Sequence, residues 1–147
     1  MRYEPLSPEL AAPLAELFEA LREKGDERWF HPHPLTAEEA ERLSRYEGGD
    51  VYAVLTEDGR VLAYGMLRGW DAGYEIPSLG LAVHPDERAR GAGRELMERL
   101  HEEARRRGAT RVRLTVYADN EPARRLYEQL GYELEERDGD LVGYVDL

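Results

Sequence analysis

The sequence predicts a mixed α/β domain built on one largely antiparallel, twisted sheet of about seven strands. Seven short apolar segments have the pattern of strands, and four other segments repeat apolar residues at helical spacing. Their order along the chain is strand, two helices, three strands, helix, strand, helix and two strands. Asp58-Gly59 and Asp138-Gly139 separate consecutive strand segments, where Asp-Gly pairs favour the tight turns of β-hairpins. These hairpins indicate that most neighbouring strands run antiparallel.

The N-terminal part of the chain predicts a short edge strand and two helices. Residues 1–4 form the strand, and Ser7 is the candidate N-cap of the first helix. Pro13 would remove one intrahelical hydrogen bond, so this helix begins either after Ser7 or nearer to Pro13. Thr36 and Glu39 have the spacing of a capping box at the start of the second helix. The buried face of the first helix consists of Leu10, Leu14, Leu17, Phe18 and Leu21.

The middle of the chain predicts three strands followed by the longest helix. Residues 51–55 and 61–67 flank the turn at residues 57–59 and form a hairpin. A third strand is expected over about residues 74–83. The helix follows at about residues 91–107, with Leu, Met and Ala on its buried face.

The C-terminal part of the chain predicts a strand, a short helix and a final hairpin. Residues 112–116 alternate as a strand does. Asn120 is the candidate N-cap of the short helix, and Gly131 is its expected stop. The last two strands lie within residues 132–146.

Composition limits the class of protein. The 147 residues are the length of one domain, which we assign to residues 1–147. The net charge of −11 argues against a general nucleic-acid or anionic-membrane surface. The absence of cysteine excludes disulfides, thiolate metal sites and a cysteine nucleophile. No apolar run is long enough to span a bilayer and no signal peptide is evident, so we expect a cytoplasmic protein.

The segment from Arg88 to Arg94 has the features of an anion-binding turn. It joins an apolar strand to the start of the longest helix, where the helix dipole favours negative charge. Gly91 and Gly93 would let a pyrophosphate approach the backbone, and three arginines add positive charge. The segment lacks the third glycine of a Rossmann fingerprint and the Gly-Lys-Ser/Thr of a P-loop. A helix start that is glycine-rich without binding anything is the alternative.

Two motifs resemble those of the GNAT superfamily of N-acetyltransferases. The first is Leu81-Ala82-Val83-His84-Pro85 followed by Arg88-x-x-Gly91-x-Gly93, and the second is the stretch from Asn120 to Tyr132, which has the form Asn-x-x-Ala-x-x-Leu-Tyr-x-x-x-Gly-Tyr. The order of elements along the whole chain is also similar. The resemblance implies helices on both faces of the sheet and a central pair of strands, ending at Val83 and Val116, that splay apart. Gly80 is the candidate for a bulge that produces the splay.

The resemblance also implies that acetyl-CoA is the acyl donor. Backbone groups of the strand would contact the pantetheine arm, and those of the loop would contact the pyrophosphate. The implied cofactor-binding residues are Leu81, Ala82, Val83, Arg88, Ala89, Arg90, Gly91, Ala92, Gly93, Arg94, Asn120, Ala123 and Tyr127. For Asn120, a role as helix cap and a role in binding the cofactor are compatible with each other.

Acyl transfer to an amine requires a neutral amine and a stabilised leaving thiolate. Tyr127 stands at the position where the family commonly has a phenol as general acid, although packing on a buried helix face is an alternative role. Glu75 is the candidate general base, directly or through water, and a solvated carboxylate at a strand start is the alternative. Ser78 is a candidate water-holding partner.

The connection between the first two helices usually walls the acceptor site in the family. Here it contains Trp29, Phe30, His31 and His33, which could bind or deprotonate a polar acceptor or could serve in packing. Trp70 and Tyr74 are further candidates for the acceptor wall or for hairpin packing. No third ligand accompanies the His-x-His pair, so a metal site is disfavoured.

These inferences predict an enzyme that transfers an acetyl group to a primary amine by direct attack in a ternary complex. The acceptor, a small molecule or a peptide, is not identified by the sequence. The alternative is a regulatory or sensing module that binds CoA without transfer. The family resemblance makes a homodimer an open question and implies neither nucleic acid nor membrane as a partner.

Overall fold

The computed structural model describes all 147 residues, which form one seven-stranded sheet in the order β1-β2-β3-β4-β5-β7-β6. All neighbouring strands are antiparallel except β4 and β5, which are parallel. The predicted mixed α/β class and the number of strands are confirmed. The strands are β1 (Arg2–Pro5), β2 (Val51–Glu57), β3 (Arg60–Arg68), β4 (Ser78–Val83), β5 (Arg111–Val116), β6 (Glu133–Arg137) and β7 (Asp140–Asp146), and the helices are α1 (Ala11–Lys24), α2 (Ala37–Ser44), α3 (Ala92–Arg106) and α4 (Glu121–Gln129).

The two predicted N-terminal caps differ in the structure. A 3₁₀ turn over Pro8–Leu10 leads directly into α1, and Ser7 makes no capping hydrogen bond. Pro13 is the third residue of α1, where a backbone N–H would have no intrahelical acceptor in any case. Thr36 caps α2 by accepting from the Glu39 N–H at 3.1 Å. The carboxylate of Glu39 pairs with Arg42, so only half of the predicted capping box forms.

Helices cover both faces of the sheet because successive strand residues point to opposite sides. On one face, α1 and α2 pack against β2 and β3 through a core that includes Phe18, Val54 and Tyr64. On the other face, α3 and α4 pack through a core that includes Leu96, Leu100 and Ala63. No residue of β5, β6 or β7 belongs to the α1/α2 core. The C-terminal half of the sheet is therefore left without a helix on that face.

The predicted splay lies between β4 and β5. These strands share a single bridge, Ser78 with Arg113, and the Arg113 N–H donates to the Pro77 carbonyl at 2.9 Å. Beyond Ser78, the edge of β4 that faces β5 has no strand partner. The splay leaves backbone donors and acceptors of β4 available to a ligand.

Two details of the β4 prediction are wrong. The strand begins at Ser78, whereas residues 74–77 are irregular, because Gly73 adopts a φ of 88° and Pro77 has no N–H to donate to a ladder. Gly80 carries no bulge, since β3 and β4 pair in continuous register with Met66 opposite Gly80. A Cβ at Gly80 would lie 3.2 Å from Met66 Cγ, so this glycine makes room for a side chain. None of the helices combines the length and hydrophobicity needed to cross a bilayer.

Candidate active site

A cleft of about 950 Å³ opens where β4 and β5 diverge. Its walls come from these two strands, the loop before α3, the start of α4, the connection between α1 and α2, and the β6–β7 turn. Twelve of the thirteen predicted cofactor residues line it, the exception being Arg90. The cleft also includes Trp29, Phe30, His31 and Ser78 from the predicted acceptor site. The structure thus brings together most of the residues that the motifs indicate.

The loop from Arg88 to Arg94 presents free backbone donors to this cleft. None of its seven N–H groups donates a hydrogen bond to another protein atom. The first intrahelical bond of α3 runs from the Glu95 N–H to the Gly91 carbonyl at 3.0 Å, so the preceding donors remain available. Ala89 and Gly91 adopt positive φ values of 71° and 82°, which curve the backbone ahead of the helix. Such a curved run of N–H groups at a helix N-terminus is an anion-binding geometry.

The three arginines of this loop have different surroundings. Arg88 donates to the buried carboxylate of Asp26 at 2.5 Å and to the Val83 carbonyl at 3.3 Å. Arg94 donates to the Gln129 side chain at 2.9 Å and lines the cleft. Arg90 forms ion pairs with Glu87 and Glu57 instead. The Arg90 side chain, which was predicted to contribute to the cofactor site, therefore does not line the cleft, because Glu87 and Glu57 hold it.

Gly93 has a packing role, whereas the side chain of Asn120 is available to a ligand. A Cβ at Gly93 would lie 3.2 Å from Leu126 and 3.4 Å from Val83, so this glycine permits close packing of α3 against β4 and α4. Asn120 occupies the N-cap position of α4, but its side chain makes no capping bond. The Asn120 side chain lines the cleft and is free to contact a ligand. The predicted capping role is therefore confined to its backbone carbonyl, which accepts from Arg124.

Tyr127 projects from α4 toward the cleft and is otherwise enclosed. Its ring lies 6.0 Å from the ring of Tyr132, and its hydroxyl makes no hydrogen bond to another protein group. Burial raises the pKa of the Tyr127 phenol to about 12. The phenol consequently keeps its proton throughout the neutral range.

Three other predicted site residues, Trp70, Tyr74 and Glu75, lie outside the cleft. Glu75 and Tyr74 are exposed in the irregular segment before β4, and 67% of Tyr74 is accessible to solvent. Their position follows from the late start of β4, which leaves both residues in a loop. Trp70 packs against the α3/α4 core with the Arg107 guanidinium 5.0 Å from its ring centre. The assignments of Glu75 as base and of Trp70 and Tyr74 as acceptor wall therefore receive no support from the geometry.

The two predicted histidines have different environments. His33 has both ring nitrogens occupied, with Nδ1 2.8 Å from the Pro34 carbonyl and Nε2 2.9 Å from the Tyr64 hydroxyl. Since the carbonyl can only accept, Nδ1 donates and Nε2 accepts from the tyrosine. Burial lowers the pKa of His33, which favours this neutral state. His33 is outside the cleft and holds the chain against the core, contrary to the prediction that it contacts the acceptor.

His31 lines the cleft and takes part in a hydrogen-bonded bridge between two of its walls. Its Nε2 lies 2.5 Å from the Tyr117 hydroxyl. Beside it, the Trp29 indole donates to Asp119 at 3.1 Å. These two hydrogen bonds join the α1–α2 connection to the loop between β5 and α4. The structure gathers no group of three or more histidine or carboxylate side chains that could hold a metal ion.

Comparison with known proteins agrees with this arrangement. Residues 14–132 match the sequence model of the acetyltransferase (GNAT) family. The chain belongs to the GNAT family of acetyltransferases. The resemblance predicted from the two motifs is thereby confirmed.

Individual GNAT relatives support the same conclusion. An acetyltransferase of Sodalis glossinidius (strain morsitans) is 33% identical over 87 residues, which cover 59% of this chain and 60% of the relative. The GNAT domain of S. lividans PAT shares the fold with a TM-score of 0.85 at 21% identity, over 99% of this chain and 90% of that one. The PaiA N-acetyltransferase from Thermoplasma acidophilum, solved in complex with coenzyme A, has a TM-score of 0.80 at 15% identity, over 99% and 98% of the chains.

Several residues of the GNAT cleft were missed by the sequence motifs. Arg68, Arg113 and Tyr117 line it, and Asp26 anchors Arg88 from a buried position. Arg113 is the outward-facing residue between Val112 and Leu114, so the alternation of β5 was a usable signal for its face. Asp26 had no local signal, since its partner is 62 residues away.

Proposed function

We propose that this protein transfers an acetyl group from acetyl-CoA to a primary amine by direct attack in a ternary complex. The observation that carries the proposal is that the groups able to bind acetyl-CoA follow one another along the cleft. Free N–H groups of residues 88–94 lead into the unpaired edge of β4, and Tyr127 lies in the same cleft. A pyrophosphate, an extended amide-containing arm and a thioester match these three parts in order.

The residues of the loop and of β4 hold the donor in this proposal. The N–H groups before α3 bind the pyrophosphate, helped by the positive end of the helix. Backbone groups of Leu81 to Val83 hydrogen-bond the amides of the pantetheine arm, because no strand occupies that edge. Asn120, with no capping bond to satisfy, contacts the same arm. Acetyl-CoA supplies an acyl group activated as a thioester.

Tyr127 acts as the general acid. Its pKa of about 12 keeps the phenol neutral, so it carries a proton for the departing sulfur. The enclosed position of the ring excludes bulk water from that proton. A backbone N–H of β4 near Ala82 stabilises the oxyanion of the tetrahedral intermediate.

Deprotonation of the amine requires a base, because an unperturbed lysine-like amine has a pKa of about 10.4. Glu75 lies in an exposed loop, so we assign this role to the pair of His31 and Tyr117, which borders the cleft. The imidazole accepts the proton directly or through a water molecule. Ser78 holds such a water or the acceptor itself.

The test combines binding with transfer. Calorimetry with acetyl-CoA should show saturable binding, and a thiol-release assay over a mixed panel of amines should show CoA production that requires an amine. Binding without thiol release from any amine would favour the regulatory CoA-binding module. Absence of acetyl-CoA binding would contradict both functions.

A further inference from the structure

The arginines that line the cleft fall into two groups. Arg88 and Arg94, at the loop before α3, each lie within 4 Å of a carboxylate, from Asp26 and Glu98 respectively. Arg68, Arg113 and Arg137 line the cleft without an ion pair to any carboxylate. The chain has 31 Asp and Glu residues and a net charge of −11. Asp138 and Asp140 line the cleft beside Arg137, so the excess positive charge lies at Arg68 and Arg113 and indicates a local site for an anion there.

Two of these arginines belong to a row across the centre of the sheet. Arg68 of β3 is paired with Ser78 of β4, and Ser78 is paired with Arg113 of β5. Residues directly opposite one another point to the same face, here the face that carries α1 and α2. Since Ser78 and Arg113 form the only bridge between β4 and β5, the row lies at the apex of the splay.

The guanidinium groups of the row keep most of their donors free. Arg113 contacts Ser78 Oγ at 3.5 Å, and Arg68 donates to the Pro32 carbonyl at 3.2 Å. A guanidinium has five N–H donors in a planar fork that matches a carboxylate or phosphate. Most of these donors therefore remain available on the side of the predicted acceptor wall.

The row lies at the opposite end of β4 from the pyrophosphate loop. The loop follows the end of β4, and the five steps along the strand from Val83 back to Ser78 span about 16 Å at a rise of roughly 3.3 Å per residue. An arm that lies along β4 from the loop brings its reactive end toward the apex. A group bound by Arg68 and Arg113 would then lie beside the reacting amine.

We infer that the acceptor is an amine bearing an anionic group, a carboxylate or a phosphate, close to its nitrogen. This inference rests on the proposed acetyl transfer and specifies the substrate class. Arg113 and Arg68 bind the anion from two sides of Ser78, and the amine points to the thioester. Their positive charge also disfavours the ammonium form of the bound acceptor, which lowers its pKa toward the neutral nucleophile. Amines whose other groups are cationic are repelled by the same two arginines.

The kinetic test compares acceptors with and without an anionic group. Glycine is paired with glycinamide, phenylalanine with phenylalaninamide, and O-phosphoethanolamine with ethanolamine, and kcat/KM is measured by thiol release. We expect at least one anionic acceptor to exceed its neutral partner by about tenfold or more, as expected for a charged hydrogen bond. The amide amines lose their proton more readily than the amino acids, so this preference would not come from nucleophilicity. The phosphate pair distinguishes the two anions.

Substitutions of Arg113 and Arg68 test whether these two residues cause the preference for anionic acceptors. Arg113→Gln and Arg68→Gln should each reduce the preference by about tenfold, with the KM for acetyl-CoA unchanged. Arg105→Gln is the matched control, because Arg105 has no ion pair and lies on α3 outside the cleft. Equal or better use of the neutral partners, or a preference that both variants retain, overturns the inference.

A binding measurement separates this inference from the proposed function. N-acetylglycine and N-acetylglycinamide are compared by ligand-observed NMR in the presence of CoA. Tighter binding of N-acetylglycine that is lost in Arg113→Gln and Arg68→Gln supports the anion site even if no amine is acetylated, in which case the proposed transfer fails alone. Equal binding of the two compounds in the parent protein overturns the anion site.

Discussion

The phenol of Tyr127 gives the most direct test at the scale of single residues. Tyr127→Phe keeps the ring that packs near Tyr132 but removes the proton. We expect kcat to fall about 10²- to 10³-fold, the range of general acid catalysis, while the KM for acetyl-CoA changes little. Because the pKa of the phenol is about 12, parental activity should show no loss from its ionisation up to about pH 10. Steady-state kinetics across pH with an accepted amine measure both effects.

Tyr132→Phe is the control for that experiment. Tyr132 is equally buried, but it bonds His101 at 2.6 Å and does not line the cleft. Loss of the Tyr132 hydroxyl should lower the free energy of unfolding and leave kcat near the parental value. Parental turnover in Tyr127→Phe would rule out the acid role, and equal losses in both variants would indicate a structural effect.

Asn120 allows its two predicted roles to be separated. Its side chain makes no capping bond, so Asn120→Ala should change the free energy of unfolding by less than about 0.5 kcal/mol. The same change should weaken acetyl-CoA binding by about three- to tenfold, the value of one neutral hydrogen bond. Thr36 does form a capping hydrogen bond, so Thr36→Ala should lower the free energy of unfolding by about 1 kcal/mol and leave acetyl-CoA binding unchanged. Urea unfolding and calorimetry on both variants provide the comparison, and parental affinity in Asn120→Ala would exclude the ligand contact.

At the residue scale, the predicted cofactor residues lie together in the structure where the sequence signal was local, and their roles stay predictions. The loop from Arg88 to Arg94 carries its glycines, charges and helix start within a few positions, and all its residues but Arg90 line the cleft. His33 was misassigned because its partner Tyr64 is 31 residues away, and Arg90 because Glu57 is 33 away. Pairings of this kind depend on the tertiary fold.

At the scale of elements, the start of α3 links local geometry to binding. Gly91 has a φ of 82°, and a Cβ there would meet no atom within 4 Å. Gly91→Val should therefore cost about 1–2 kcal/mol of stability through backbone strain. It should also weaken acetyl-CoA binding by at least about tenfold, because a branched side chain would stand beside the free N–H groups. Calorimetry at a temperature where the variant is folded measures the binding loss.

The chain contains a close control at the other end of the same helix. Gly108 follows α3 with a φ of 85°, and a Cβ there also meets nothing within 4 Å. Gly108→Val should have a similar cost in stability and parental affinity for acetyl-CoA. Equal affinity losses in the two variants would mean that strain, and not the blocked approach, weakens binding.

Elements were predicted well where turn chemistry or periodicity was strong. Asp58 and Asp138 have positive φ values next to glycine, as the Asp-Gly turns require, and both hairpins form. The start of β4 and the bulge at Gly80 were not predicted correctly. The start of a strand and the position of a bulge depend on the register with neighbouring strands. The splay arises because a single bridge, between residues 35 positions apart, joins β4 to β5.

At the scale of the whole molecule, net charge and local charge have opposite signs. The net charge of −11 suggests attraction of cations, but the cleft is lined by five arginines and four carboxylates, and three of these arginines have no ion pair. Ion pairs elsewhere explain the difference, since most of the arginines outside the cleft are paired with carboxylates. Composition therefore describes the outer surface and gives no guide to the acceptor.

Stability of the whole domain should depend on pH through a buried histidine. His101 of α3 is 7% exposed and bonds the Tyr132 hydroxyl. Burial, with a smaller effect of Arg105, lowers its pKa from 6.5 to about 4. Between these values the unfolded chain binds a proton that the folded chain does not, so stability falls as pH decreases. Burial lowers the pKa of His33 as well, and its contribution has the same sign.

Urea unfolding at pH 7.5 and pH 5 tests this dependence. We expect the parent protein to lose about 1–2 kcal/mol of unfolding free energy over this range from His101 alone. His101→Gln should be less stable at pH 7.5 but should lose less on acidification, because it has no proton to take up on unfolding. Glu39 and Glu87 do not contribute to the change between pH 7.5 and pH 5. Arg42 and Arg90 lower the pKa values of these carboxylates from 4.5, so the stabilisation that they provide is lost only at lower pH. An unchanged slope in His101→Gln would show that other groups cause the acid sensitivity of the fold.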